Sequence, residues 1–198
     1  MARDRAARPE AKPLRLFVAV DVPDPVKAGL EETVSAYRDR IPGARWTRPD
    51  GWHVTLKFLG GTWPRLVDDV RAAVAGAAGR AEAFESRLTE LGVFPSKRRA
   101  RVVWAGLLDP DGRLAGIAKD LDERLADHFV PEERQLTPHL TVARLAPPRD
   151  LAEFAPDLVG TAVTSAPFRV DHLVLYRSRL SPRGATYEAL VSAPFGGA

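Results

Sequence analysis

The chain has 198 residues, 45% hydrophobic and 28% charged, with a net charge of +3. That is enough for one compact domain or two tightly joined lobes, and it excludes disorder as the main state. The 17 Pro and 15 Gly are scattered, which excludes collagen-like and low-complexity classes, and the absence of cysteine excludes disulfides and thiolate zinc sites.

Residues 1–13, rich in Arg, Ala and Pro without periodicity, read as a flexible tail. The apolar run from Leu16 to Val20 is far too short to span a bilayer and lacks the flanks of a signal peptide, so a soluble cytoplasmic protein is expected. Leu14 to Val22 predicts a buried strand closed by Pro23. Val26, Leu30, Val34 and Tyr37 form a helical stripe over 25–40, with Asp24 as N-cap. Trp52 to Leu59 alternates as a strand, and Leu66 to Ala78 is helical. Phe84 to Phe94 and Arg101 to Leu108 predict two strands joined by a basic turn. Leu114, Ile117, Leu121 and Leu125 mark a helix. His139 to Leu145 predicts a short strand and Leu151 to Leu158 a short helix. Ala162 to Arg177 and Ala185 to Val191 close the domain as strands, and residues 193–198 read as a short C-terminal tail. This order, with its hairpins, predicts an α+β domain over 14–192 with largely antiparallel sheets.

Two segments echo each other: His53-Val54-Thr55-Leu56 and His139-Leu140-Thr141-Val142. With four His and ten Thr in the chain, random placement gives only about 0.2 His-x-Thr triplets. Both copies lie in predicted strands, where residues two apart share a face. His53 and Thr55 therefore face away from Val54, Leu56 and Phe58, which are expected in the core; His139 and Thr141 likewise face away from Leu140 and Val142. Two imidazoles can act as base and acid near neutrality, and two hydroxyls can hold phosphoryl oxygens as charge builds. The set suits in-line displacement at phosphorus. No acidic third ligand stands at a recognisable spacing, so neither a metal nor a cofactor is expected.

These residues resemble the 2H phosphoesterase superfamily. RLFVAVDVP, WHVTLKFLG, RVVWAGL, PHLTVAR and LYRSRLSPRGATYEAL are similar to its LigT-like branch, the RNA 2′,3′-cyclic phosphodiesterases or 2′-5′ RNA ligases, across about residues 14–191. The resemblance implies a bilobal, pseudo-twofold α+β fold, with two mainly antiparallel sheets flanking a central groove and helices outside. It implies metal-independent hydrolysis of an RNA terminal 2′,3′-cyclic phosphate to a 2′-phosphate, with 2′-5′ ligation as the reverse activity. By family analogy His53 is the proton donor, His139 the proton acceptor, and Thr55 and Thr141 hold the phosphate. The implied partner is RNA with a cyclic phosphate end, tRNA fragments among the candidates; no membrane and no obligate protein partner is expected.

Arg144 matches a phosphate-contacting family position, yet regular alternation turns it away from His139, so it reaches the site only where the strand ends, twists or bulges. Lys57 has the parity of His53 but no counterpart in the second motif, and reads as a solvated lysine. Phe17, Trp46 and Tyr176 are candidates for stacking on an RNA base. His128 and His172 lack a threonine partner and read as structural. Two basic clusters, Lys97/Arg98/Arg99/Arg101 and Arg177/Arg179/Arg183, could steer phosphate or be solvated surface. Two other readings stay open: a phosphodiesterase for a small cyclic nucleotide or ADP-ribose cyclic phosphate, and a non-catalytic RNA-end-binding protein.

Overall fold

A computed structural model describes residues 12–181 and 184–197. Residues 1–11 of the expected N-terminal tail, and Arg183 of the second basic cluster, lie outside the described residues. In chain order the elements are β1 (Leu14–Asp21), α1 (Asp24–Ser35), β2 (Ala44–Trp46), β3 (His53–Thr62), α2 (Val67–Ala78), β4 (Phe84–Ser86), β5 (Leu88–Phe94), β6 (Ala100–Leu107), α3 (Arg113–Leu125), β7 (His139–Arg149), α4 (Leu151–Phe154), β8 (Phe168–Val170), β9 (His172–Ser181) and β10 (Gly184–Pro194). The fold is α+β and antiparallel, as the sequence predicts.

One sheet runs β10-β9-β1-β3-β7-β6-β5, with β2 on the edge of β7; β4 and β8 form a separate pair. Its centre is a seam. β3 and β7 share a single ladder pair, Val54 with Leu140, after which β2 takes over the edge of β7 and pairs with residues 143–145. The sheet is thus two halves, β10-β9-β1-β3 and β7-β6-β5, joined at one rung. Val54 and Leu140 are the same position of the two motifs, so the seam relates the halves by a pseudo-twofold.

Alternation sorts each half into two faces. In β1, Leu16, Val18 and Val20 are fully buried against Val54, Leu56, Leu173 and Leu175. α2 and α3 pack over β3, β9 and β10 through apolar stripes at helical spacing: Val70, Val74 and Ala77, and Leu114, Ile117, Leu121 and Leu125. α1 is shorter than predicted. It starts after Pro23, with Asp24 in its first turn rather than at the cap, and stops at Ser35; Tyr37 beyond it is tied by its hydroxyl to Thr161 Oγ1 at 2.9 Å.

Two predicted strands are each divided. Phe84 to Phe94 breaks at Arg87 and feeds two different sheets; Ala162 to Arg177 holds β8 and the start of β9, which runs on to Ser181. The C-terminal residues are not a tail from 193 onward. β10 continues to Pro194, Phe195 is buried in the core, and the Phe195 and Gly196 amides donate to the carbonyls of Asp171 and Ala78. Among the described residues no helix is long and apolar enough to cross a membrane.

Candidate active site

β1 and β6 alternate regularly, and their outward residues define the open face of each half. In β1 these are Phe17, Ala19 and Asp21, whose partners on β3 are Phe58, Thr55 and His53. In β6 they are Val102, Trp104 and Gly106, whose partners on β7 are Arg144, Thr141 and His139. Each motif strand therefore presents its His, its Thr and its sixth residue on the open face.

Regular alternation would not do this. Between Thr and the sixth residue each motif strand holds two residues where one is expected. Leu56 and Lys57 are consecutive and both buried, as are Val142 and Ala143, and the register slips by one residue at each place. These are β-bulges, one per motif.

The bulges decide three expectations. Arg144 is returned to the face of His139 and Thr141 and is exposed. Lys57 is not a solvated lysine: it is 6% exposed, opposite Val18 on the core face, ion-paired with Asp122 of α3, and it also donates to the Val130 carbonyl at 3.4 Å. Phe58 is not a core residue. It stands 53% exposed on the open face, with the Arg15 guanidinium 4.7 Å from its ring centre.

The two histidines meet across the seam. Continuing the antiparallel register from the Val54–Leu140 pair sets His53 opposite Thr141 and Thr55 opposite His139. The two backbone positions are then diagonal neighbours, roughly 7–8 Å apart in a regular ladder, with both imidazoles on the open face. Among the described residues neither threonine hydroxyl has a hydrogen-bond partner in the protein, so both can donate to a ligand.

Both imidazoles are set by their surroundings. His53 stacks on Phe17 with ring centres 4.6 Å apart and meets the edge of Tyr187 at 4.9 Å. This burial pushes its pKa down from 6.5 to about 4, against a carbonyl hydrogen bond at Gly51 and the charge of Asp21, while Lys27 and Arg144 push it down further. His139 lies edge-on to Phe94 at 5.1 Å and 6.1 Å from Trp104. Burial lowers its pKa too, against the Thr137 carbonyl and with a further push from Arg144. Arg144 is thus felt by both rings. The Nδ1 of His139 is 2.6 Å from the Thr137 carbonyl, which can only accept, so Nδ1 carries the proton and Nε2 is free to exchange one. Each histidine leans on the carbonyl two residues before it.

Second contacts lock the motifs together. The Thr47 amide donates to the Val142 carbonyl at 2.9 Å, and its hydroxyl lies 2.9 Å from the carbonyls of both Thr141 and Val142. The same hydroxyl accepts from the indole of buried Trp52, the residue before His53, at 2.7 Å. Tyr176 stacks on Phe17 at 5.3 Å and donates to Asp21 at 2.7 Å; burial, and then this bond and the charge of Asp21, raise its pKa.

Of the aromatics read from sequence, Phe17 and Tyr176 stand with His53. Trp46 does not: it pairs with Ala143 on the core side, and Arg38 lies over its ring. Phe94, Trp104 and Tyr187 join the site without a sequence signature of their own. Gly92, opposite Trp104 on the neighbouring strand, leaves no room for a Cβ beneath that indole, a pairing that only the strand register reveals. His128 lies 3.5 Å from Asp69, and His172 is held by Asp171 at 2.7 Å, both away from the seam. Arg177 and Arg179 are both ion-paired with Glu188. Among the described residues no three His, Asp or Glu side chains cluster in a way that could hold a metal ion.

The sequence profile of the family described as LigT like Phosphoesterase matches residues 20–104 and 108–187. A protein of Methanothermobacter thermautotrophicus named RNA 2′,3′-cyclic phosphodiesterase is 35% identical over 185 residues, covering 88% of this chain and 95% of the relative. A crystal structure of a Thermus thermophilus protein superposes with a TM-score of 0.80 at 28% identity, covering 93% of this chain and 99% of that one. Escherichia coli LigT, solved with NADP+, shares the fold at a TM-score of 0.74 and 24% identity, covering 93% and 99% of the two chains.

Proposed function

The chain belongs to the LigT-like phosphoesterase family, and we propose that it works there as an RNA 2′,3′-cyclic phosphodiesterase, opening the cyclic phosphate to a 2′-phosphate. The relative of that name, similar over nearly its whole length, supports the substrate class. The observation that carries the chemistry is the doubled motif: two imidazoles and two unpartnered hydroxyls on one face, on either side of one seam.

In this reading His139 Nε2 takes a proton from water as the water oxygen attacks phosphorus. The P–O3′ bond breaks opposite the entering oxygen, and protonated His53 gives its proton to O3′. One P–O bond forms and one breaks; the products are a 2′-phosphate and a 3′-hydroxyl. Thr55, Thr141 and Arg144 hold the non-bridging oxygens as charge builds on them. The low pKa of His53 makes its protonated form a strong acid toward O3′, and the negative charge of a bound phosphate favours that form. No metal enters this scheme. A 5′-hydroxyl of RNA in the place of water yields a 2′-5′ linkage by the same motions. We place the enzyme in the cytoplasm, with RNA fragments such as those of tRNA as substrates and no obligate protein partner.

The test is incubation with a short RNA ending in 2′,3′-cyclic phosphate in the presence of a chelator. A 2′-phosphate product is expected, with turnover reduced about 10²–10⁴-fold in His53→Ala and in His139→Ala. Full activity in either variant, or a 3′-phosphate product, overturns the assignment.

A further inference from the structure

β2 is only three residues long, and its pairing with β7 sets Arg45 directly opposite Arg144. The flanking pairs fix which way these two side chains point. Ala44 with Leu145 and Trp46 with Ala143 are packed on the core side, so Arg45 and Arg144 share the open face, and both are exposed. Like charges directly opposite on neighbouring strands destabilise a sheet. Nothing in the described residues relieves this pair: neither guanidinium has an ion pair or a hydrogen bond. Other arginines on strands and helices of this fold do have acids beside them, as Arg38 has Glu31, Arg40 has Asp157, and Arg177 and Arg179 have Glu188; what sets Arg45 and Arg144 apart is that each faces another guanidinium.

We propose that Arg45 and Arg144 form a phosphate clamp on the open face beyond His53 and Thr141, in which Arg45 receives the internucleotide phosphate next to the reacting end of an RNA. This rests on the reading of the site as an RNA cyclic phosphodiesterase and deepens it. Arg144 is the guanidinium whose charge reaches both imidazoles, so it belongs with the reacting phosphate. Arg45 stands one strand further along, about 4.8 Å away in the sheet, and serves a group that a nucleoside cyclic phosphate does not possess. Arg45 is therefore a specificity residue for polymer over monomer.

The experiment compares wild type, Arg45→Gln and Arg45→Lys on two substrates, a short RNA and a nucleoside monophosphate, each ending in 2′,3′-cyclic phosphate. It also measures binding of the two corresponding 2′-phosphate products. Loss of a charge-assisted contact predicts that Arg45→Gln lowers kcat/KM and affinity for the RNA about tenfold or more. The same variant should alter the monomer values by a much smaller factor, and Arg45→Lys should recover part of the RNA loss. The melting temperature of Arg45→Gln should equal or exceed that of wild type, because a like-charge contact is removed; a merely structural arginine would behave oppositely. Equal losses on both substrates, or no loss on RNA, overturn the clamp. If wild type turns over neither substrate while Arg45→Gln still weakens RNA binding selectively, the clamp stands and the hydrolase reading falls.

Discussion

An imidazole flanked by Phe17 and Tyr187 is costly to charge, and this controls how the enzyme should respond to pH. His53 titrates at about 4 in the free protein, and His139 below 6.5. The profile of kcat/KM reports free-enzyme groups, so both of its limbs should lie below pH 6.5, one of them near 4. In the complex the substrate's negative charge favours both imidazolium forms, so the kcat profile should be displaced to higher pH. Rate profiles on a cyclic-phosphate RNA check this; a kcat/KM limb above 6.5 would contradict it. The identity of these residues was legible in the sequence, because His-x-Thr recurs in two apolar strands. Their surroundings were not. Phe94, Trp104 and Tyr187 reach the rings through cross-strand register, which no local pattern records.

At the scale of the strand, alternation read correctly as far as the fourth motif residue and failed at the fifth. The failure has a tertiary cause. Lys57 turns to the core because Asp122 of α3 waits there, and Asp122 also accepts from the Glu132 amide at 3.3 Å. The ion pair thus ties the first motif strand to the segment leading into the second. Lys57→Met should destabilise the fold by about 3 kcal/mol, since it strands a largely buried carboxylate, and Lys57→Met with Asp122→Leu should regain much of that loss. Urea unfolding of the single and double variants measures it; a double variant no better than the single would show that the pair is not the anchor. β2 was illegible for a related reason. Three residues carry no periodicity, and Ala44–Trp46 becomes a strand only because β7 has an edge to spare once β3 leaves it.

For the whole molecule, the neutral buried histidine links stability to acidity. The folded pKa of His53 lies below its ordinary value of 6.5, so the unfolded chain binds the extra proton more readily. The contribution is fully present above pH 6.5 and is lost as pH falls toward 4. Between those values the melting temperature of wild type should drop more steeply than that of His53→Gln. Parallel melting curves would refute this. The α+β class and most elements were legible because each half carries a clear core stripe; the division of the sheet at one rung was not, since a ladder gives no sign of where it splays. Each half draws strands from distant parts of the chain: β9 and β10 return to β1, and β2 crosses to β7.

The doubled residues at Leu56–Lys57 and Val142–Ala143 behave like a frameshift written twice. Removing one residue from either pair would restore a plain zigzag and invert every side chain downstream, driving Arg144 or Phe58 inward and Leu145 or Leu59 out to solvent. The distance from histidine to the sixth motif residue is therefore a counted quantity: a substitution within it acts at one position, whereas shortening it by one residue turns over the whole run that follows.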